Sequence, residues 1–190
     1  NKSVAGTLRI GASNFFTKYK LGSILRDFQL VYPSVEFQIF TGWSSEILKA
    51  IHNREIHVGF VRGDYNWNGM KHLLFEETLS IASKKKIDLI NLPNESRIDY
   101  RTDPFLKSII DDWWKENYSE APVTSIEVDQ VDTCKSMVIN GLGYGIMPSG
   151  IIKDIDDLHK VEIKNREGQL IKRSTWMYHY EEALEINSVR

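Results

Sequence analysis

Between Thr7 and Val61 the sequence changes hydrophobic period four times, and the order of those changes restricts the folds open to it. TLRIGA (Thr7–Ala12) alternates and then turns apolar, as a central strand does. Ser13 and Asn14 break that pattern. The apolar positions that follow, Leu21, Ile24, Leu25, Phe28 and Val31, predict a helix with one buried stripe, ended by Pro33. VEFQIFT (Val35–Thr41) predicts a second strand, and Gly42-Trp43-Ser44-Ser45 opens a second helix carrying Ile47, Leu48 and Ile51. IHVGFV (Ile56–Val61) predicts a third strand that delivers Arg62, Gly63 and Asp64 into a loop. Strand, helix, strand, helix, strand is a βαβ series, which calls for a parallel sheet.

The second half repeats the theme. His72–Ser83 is a long extended run that carries the chain away from the first sheet. Arg97–Tyr100 predicts a short strand, and Thr102 or Asp103 caps a helix with Pro104 at its first position and Phe105, Ile109, Trp113 and Trp114 along it. The paired tryptophans are expected in a core. Val123–Val128 predicts another strand, followed by VDQVDTCKSMVINGLGYGIMPS (Val128–Ser149): Asp129 as N-cap, Val131, Cys134 and Val138 at helical spacing, Gly141 where the helix stops, and a strand closed by Pro148. The glycines here follow the helix, and Ile146 stands where a third fingerprint glycine is required, so this is not a dinucleotide-binding turn. Val161–Ile163 and Ser174–Tyr180 predict two more strands, the second returning to the first sheet, and Glu181 starts a helix.

The expected fold is therefore α/β, with two Rossmann-like lobes, two crossover strands and a central cleft. The first lobe is residues 1–82 with 161–190, and the second is 83–160. Ligands of such sheets sit where strand ends and helix N-termini converge. Ser13, Gly42–Ser45, Arg62, Thr102–Asp103 and Gln130 occupy such places.

Composition bounds the function. The 190 residues are 42% apolar, enough for a packed core, and carry a formal charge of −2, which argues against nucleic-acid binding by this chain itself. Lys84–Lys86 is expected to be a solvated loop. No run approaches the roughly 20 apolar residues of a membrane span. NKSVAGTLRI lacks a secretory signal's apolar stretch, although Asn1 is no natural initiator. The single cysteine, Cys134, excludes internal disulfides, suits a reducing cytoplasm and is expected in the core. The five histidines (His52, His57, His72, His159, His179) show no metal-ligand spacing. With no GxSxG, P-loop or CxxC, neither an enzyme nor a metal or cofactor site is expected.

The order GTLRIGAS, YPSVEFQIFTG, IHVGFVRGD and GLGYGIMPS resembles the effector-binding domain of LysR-type transcriptional regulators over nearly the whole chain. The words TGWSSEILK (Thr41–Lys49) and VDQVDTCKSM (Val128–Met137), with Arg173-Ser174-Thr175-Trp176, resemble the citrate-responsive members of Gram-positive bacteria, the catabolite control proteins C and E. The resemblance implies a type 2 periplasmic-binding-protein-like fold, a cytoplasmic location and homodimers assembling into homotetramers. It also implies control of central-metabolism (TCA cycle) genes through an N-terminal winged helix-turn-helix that none of these residues form. Asn1–Gly6 would be the end of the linker.

A tricarboxylate effector needs several charge-assisted donors, and arginine meets a carboxylate with a planar fork. Arg62 and Arg173 match positions that the citrate-responsive relatives use for ligand contact, as the resemblance implies. The alternative for each is a surface or interlobe ion pair. Ser13, Ser44, Ser45 and Thr102 stand at helix starts, as ligand donors or plain N-caps. Trp43 either walls the site or packs on the helix below, and Gln130 reaches in from the second lobe. A rival reading is the solute-binding protein of an importer for a small anionic metabolite, which shares the fold and would carry a secretory signal.

Overall fold

The computed structural model describes residues 5–63 and 65–180; Asp64 and the helix expected from Glu181 lie outside the described residues. The chain divides into two compact units, Asn1–Phe75 with Ser174–Arg190, and Glu76–Arg173. The division falls inside two strands, not at the 82/83 and 160/161 boundaries expected from sequence.

The first unit is built on a parallel core of β2 (Ser34–Thr41), β1 (Ala5–Ala12) and β3 (Val58–Arg62), with β9 (Lys172–His179) returning antiparallel to β3. Ala5 and Gly6 belong to β1, paired with Ser34 and Val35, so the expected linker ends earlier. Arg62 is the last residue of β3 rather than the start of a loop, because its strand continues in register with Thr175. Helix α3 (Ser44–His52) buries Ile47, Ala50 and Ile51, each at most 3% exposed, with Val61 and Tyr178. Each such isoleucine contributes about 1.5–3 kcal/mol of burial. The His57 imidazole accepts the Arg9 N–H at 2.9 Å through Nδ1, and burial, then the Arg9 cation, pushes its pKa below the usual histidine value.

The first expected helix is broken. It runs as α1 (Asn14–Phe16), a π-helical segment (Thr17–Leu21) and α2 (Gly22–Val31). Phe16 and Leu21 are fully buried, but Ile24 is 38% and Val31 67% exposed, so the single buried stripe is not formed. A π turn holds an extra residue and rotates everything beyond it. Only Leu25 and Phe28 of α2 remain packed against the core. Of β2, the edge strand, only Val35 is buried.

In the second unit, the last residues of β4 (Met70–Ser83) pair antiparallel with β7 (Gly145–Pro148) and β8 (His159–Glu162). A parallel pair, β5 (Ser96–Tyr100) and β6 (Val123–Val128), joins this region through the Arg97–Tyr144 bridge. Helix α4 (Pro104–Asn117) buries Leu106, Ile110, Trp113 and Trp114 against Leu79, Ile81 and Ile146, which places the tryptophan pair in the core. Helix α5 (Val131–Ile139) buries Cys134 and Val138; its N-cap is Gln130 and not Asp129, with no side-chain cap bond. Gly141 follows at φ +78°, the left-handed position that favours glycine. A Cβ on Gly143 would lie 2.5 Å from the Ser96 carbonyl oxygen, so glycine allows the Tyr144 N–H to reach that carbonyl at 2.9 Å. Lys84–Lys86 is exposed, and Lys84 pairs with Asp157. Among the described residues no helix is long and apolar enough to cross a membrane.

Candidate functional site

In the first unit the sequence places donors at the ends of three parallel strands. Ser13 follows β1, and its Oγ accepts the Phe16 N–H at 3.1 Å, as an N-cap does, leaving its hydroxyl hydrogen to donate elsewhere. Trp43, 41% exposed, precedes α3, and Glu46 Oε1 accepts its N–H at 3.4 Å. Ser44 is 2% exposed and is engaged twice by the β3 backbone: Oγ accepts the Arg62 N–H at 3.0 Å, and its hydroxyl donates to the Arg62 carbonyl at 3.3 Å. Ser44 therefore positions Arg62, while the exposed hydroxyl at this helix start is that of Ser45.

Arg62 is 4% exposed, and its guanidinium carbon sits 4.5 Å from the centre of the Phe15 ring. A guanidinium over an aromatic face keeps its charge at low desolvation cost and holds its fork in one plane. Across the sheet its register partner is Thr175, fully buried, whose Oγ1 has no hydrogen-bond partner among the described residues. Thr17 Oγ1, two residues beyond Phe15, is in the same condition. A buried hydroxyl without a partner costs about 1–3 kcal/mol, so each marks a place where a bound acceptor would be welcomed, and Thr175 is the cross-strand neighbour of the buried Arg62. Thr175 was missed by sequence reasoning. Its word, Arg173-Ser174-Thr175-Trp176, was noticed, but charge drew attention to the arginine.

Arg173 lies in the second unit, in β9, and is 3% exposed. Its Nε and Nη2 donate to Glu77 Oε1 at 3.2 and 3.0 Å, and its Nη1 stands 3.9 Å from Asp103 Oδ2. Asp103 Oδ1 meanwhile accepts the Leu106 N–H at 3.1 Å, which makes Asp103 the cap of α4, with half-buried Thr102 just before it. Glu77 could not have been chosen from sequence, because nothing in its spacing distinguishes it from neighbouring Glu76. Gln130 is exposed at the start of α5.

The second unit also holds a cavity of about 560 Å³, lined by Thr102, Tyr100, Ile110, Val128 and Ile146 among others. Its charged lining is Arg97, Arg101 and Lys107 against Asp99, Asp111, Glu127 and Asp129, three cations to four carboxylates, which does not favour a polyanion. Arg97, 5% exposed, donates from Nε to the Tyr144 hydroxyl at 3.2 Å and lies 4.6 Å over Trp114. Cys134 donates its thiol hydrogen to the Ile98 carbonyl, and burial, then the Asp99 charge, pushes its pKa up to about 12. Such a thiol is a poor nucleophile. Among the described residues no group of three or more His, Cys, Asp or Glu could hold a metal ion.

The family model described as the LysR substrate binding domain matches residues 1–190. The chain is 40% identical over 190 residues to the uncharacterised HTH-type transcriptional regulator YraN of Bacillus subtilis (strain 168), covering 100% of this chain and 66% of that protein. It is 30% identical over 189 residues to YkuM, a second uncharacterised HTH-type transcriptional regulator of that strain, covering 98% and 64%. The chain thus spans just under two thirds of the length of these relatives. In solved structures it is similar to the cofactor-binding domain of the Cbl transcriptional regulator (TM-score 0.75, 17% identity, 97% and 87% covered). It is similar also to the BenM effector binding domain with its effector benzoate (TM-score 0.71, 16% identity, 97% and 90% covered). With the α/β architecture, the full-length family match and the regulators among its relatives, the chain belongs to the LysR substrate-binding-domain family of transcriptional regulators.

Proposed function

We propose that the effector of this ligand-binding regulatory domain is a small polycarboxylate, with citrate the leading candidate, and that Arg62 is its principal anchor. The observation that carries this reading is the buried Arg62 at the end of β3, whose cross-strand neighbour Thr175 has an Oγ1 with no hydrogen-bond partner among the described residues. A carboxylate at that position would accept from both, and a hydrogen bond to a charged group contributes about 1.5–3 kcal/mol. Ser13 and Ser45 add hydroxyls, and the start of α3 adds backbone N–H groups and the positive end of its dipole. Trp43 shields the charges from water. In the second unit Thr102 and Gln130 keep their proposed donor roles, while Arg173 acts through its hold on Glu77 and Asp103. Benzoate, the effector in the BenM structure, is itself a carboxylate.

In the whole protein the domain would control transcription of central-metabolism genes, in the manner of catabolite control, from the cytoplasm. It would do so through a winged helix-turn-helix in the portion of its relatives that this chain does not span. A ligand shifts such a switch only by its differential affinity for two states. Self-association would use the exposed face of α2 and edge strand β2, where Leu30 is 78%, Val31 67%, Ile39 45% and Phe40 42% exposed. Apolar groups so placed on a helix and an unpaired strand edge are covered in an oligomer. The importer reading is not favoured, since the matched relatives are transcriptional regulators. Titration calorimetry with citrate, isocitrate and benzoate tests the effector class. Binding of the polycarboxylates that disappears in Arg62→Ala supports the reading, and binding indifferent to Arg62 removes it.

A further inference from the structure

Two histidines that the effector site does not use meet on the sheet of the first unit. His72 lies near the start of β4 and His179 at the end of β9, and these strands are neighbours in the sheet. Their Nε2 atoms are 3.1 Å apart, with ring planes inclined by 14°. His179 is 2% exposed, and His72 is exposed.

The tautomer of His179 follows from its other nitrogen. Nδ1 lies 2.8 Å from the Tyr180 carbonyl oxygen, which can only accept, so Nδ1 carries the hydrogen. The Nε2 lone pair of His179 is then directed at His72. Its backbone is held as well, since Trp67 Nε1 donates to the His179 carbonyl at 3.4 Å. An imidazole fixed by a hydrogen bond from Nδ1 to a carbonyl, with Nε2 presented, is the arrangement that orients histidine as a metal ligand.

We propose that His72 and His179 chelate a divalent transition-metal cation. At metal–nitrogen bonds of about 2.0–2.1 Å, two cis nitrogens stand about 2.9 Å apart at a right angle and about 3.4 Å apart at the tetrahedral angle. The observed 3.1 Å lies between those limits, so the nitrogen spacing suits such an ion once the two rings turn to aim their lone pairs at it. In the resting state His72 donates its Nε2 hydrogen to His179. On binding, that hydrogen moves to Nδ1 of His72, both imidazoles stay neutral, and no net proton is released. Water completes the coordination, because among the described residues no third His, Cys, Asp or Glu joins the pair. Two imidazoles select ions in the order Cu²⁺ above Ni²⁺ and Zn²⁺, and exclude Mg²⁺.

The test uses the untagged chain, stripped with chelator and titrated with Cu²⁺, Zn²⁺ and Mg²⁺. Cu²⁺ should quench tryptophan emission with saturation at one equivalent, since Trp67 hydrogen-bonds the backbone of His179. Zn²⁺ should raise the melting temperature, and Mg²⁺ should do neither. His72→Gln, at an exposed position, should weaken Cu²⁺ binding by about tenfold or more, while His52→Gln leaves it unchanged. A measurement without any variant is the imidazole nitrogen spectrum, in which Zn²⁺ should move the Nε2 signals of two of the five histidines. Equal Cu²⁺ binding by His72→Gln and the unaltered chain, or Zn²⁺ shifts that spare this pair, overturns the proposal.

Discussion

Replacing Arg173 by methionine removes a cation from the most deeply buried ion pair described in this chain. The side chains involved, Arg173, Glu77 and Asp103, are only 2%, 11% and 9% exposed. Methionine fills most of the volume of the arginine stem, so the cavity contribution is small. What remains is a Glu77 carboxylate that has lost the two arginine N–H donors on Oε1, and an Asp103 carboxylate that has lost its nearest cation. Removing one partner of a buried pair costs about 3–5 kcal/mol, because the surviving charge stays buried. Urea unfolding followed by far-UV circular dichroism and by the emission of Trp113 and Trp114, both in the second unit, reads this loss where it occurs. Adding Glu77→Gln to Arg173→Met should recover part of the stability, with a coupling of about 0.5–3 kcal/mol. A loss within about 1 kcal/mol for Arg173→Met, the range of an exposed pair, refutes the structural role given to this arginine.

Other consequences are open to direct measurement. Thr175→Val removes a buried hydroxyl that has no hydrogen-bond partner among the described residues, so the ligand-free domain should gain about 1 kcal/mol. Its effector affinity should fall about tenfold, and thermal melts with effector titrations should show the two effects in opposite directions. Cys134 has a folded pKa raised from 9.0 to about 12, so its thiol form is favoured in the fold; stability should be flat below pH 9 and decline as pH rises through 9 toward 12. Iodoacetamide should accordingly label it at pH 8 only as fast as the chain opens, which mass spectrometry resolves. Leu30→Glu puts a charge on the exposed apolar face of α2, and sedimentation should show a dimer converted to monomer with the helical signal kept.

The parallel strands and α3 were legible because period and spacing report which face is buried, and Ile47 and Ile51 obey that rule. The Pro104 helix start was legible too, because a proline after an Asp has few other uses, and Asp103 is indeed its cap. The break in the first helix was not. A π turn leaves the same apolar residues in the same order, and only packing reveals that Ile24 and Val31 have rotated outward. Asp129 was a reasonable cap by residue type, but the chain stays extended through Gln130 before turning. At the candidate site, Arg62 was found because a cation at a strand end is conspicuous. Ser44 was noticed as a donor, whereas both of its hydrogen-bonding capacities go to Arg62. Thr175 and Glu77 carry no local signal, since their meaning comes from partners 113 positions away across β3 and 96 positions away across the ion pair.

The central claim is that a polycarboxylate binds this domain through Arg62, and a calorimetric titration of citrate into the unaltered chain, Arg62→Lys and Arg62→Ala tests it most directly. The account predicts saturable one-to-one binding, weakened in Arg62→Lys because an ammonium lacks the planar fork, and weaker by about tenfold or more in Arg62→Ala. Absence of binding at millimolar citrate, or equal affinity in all three proteins, would contradict it.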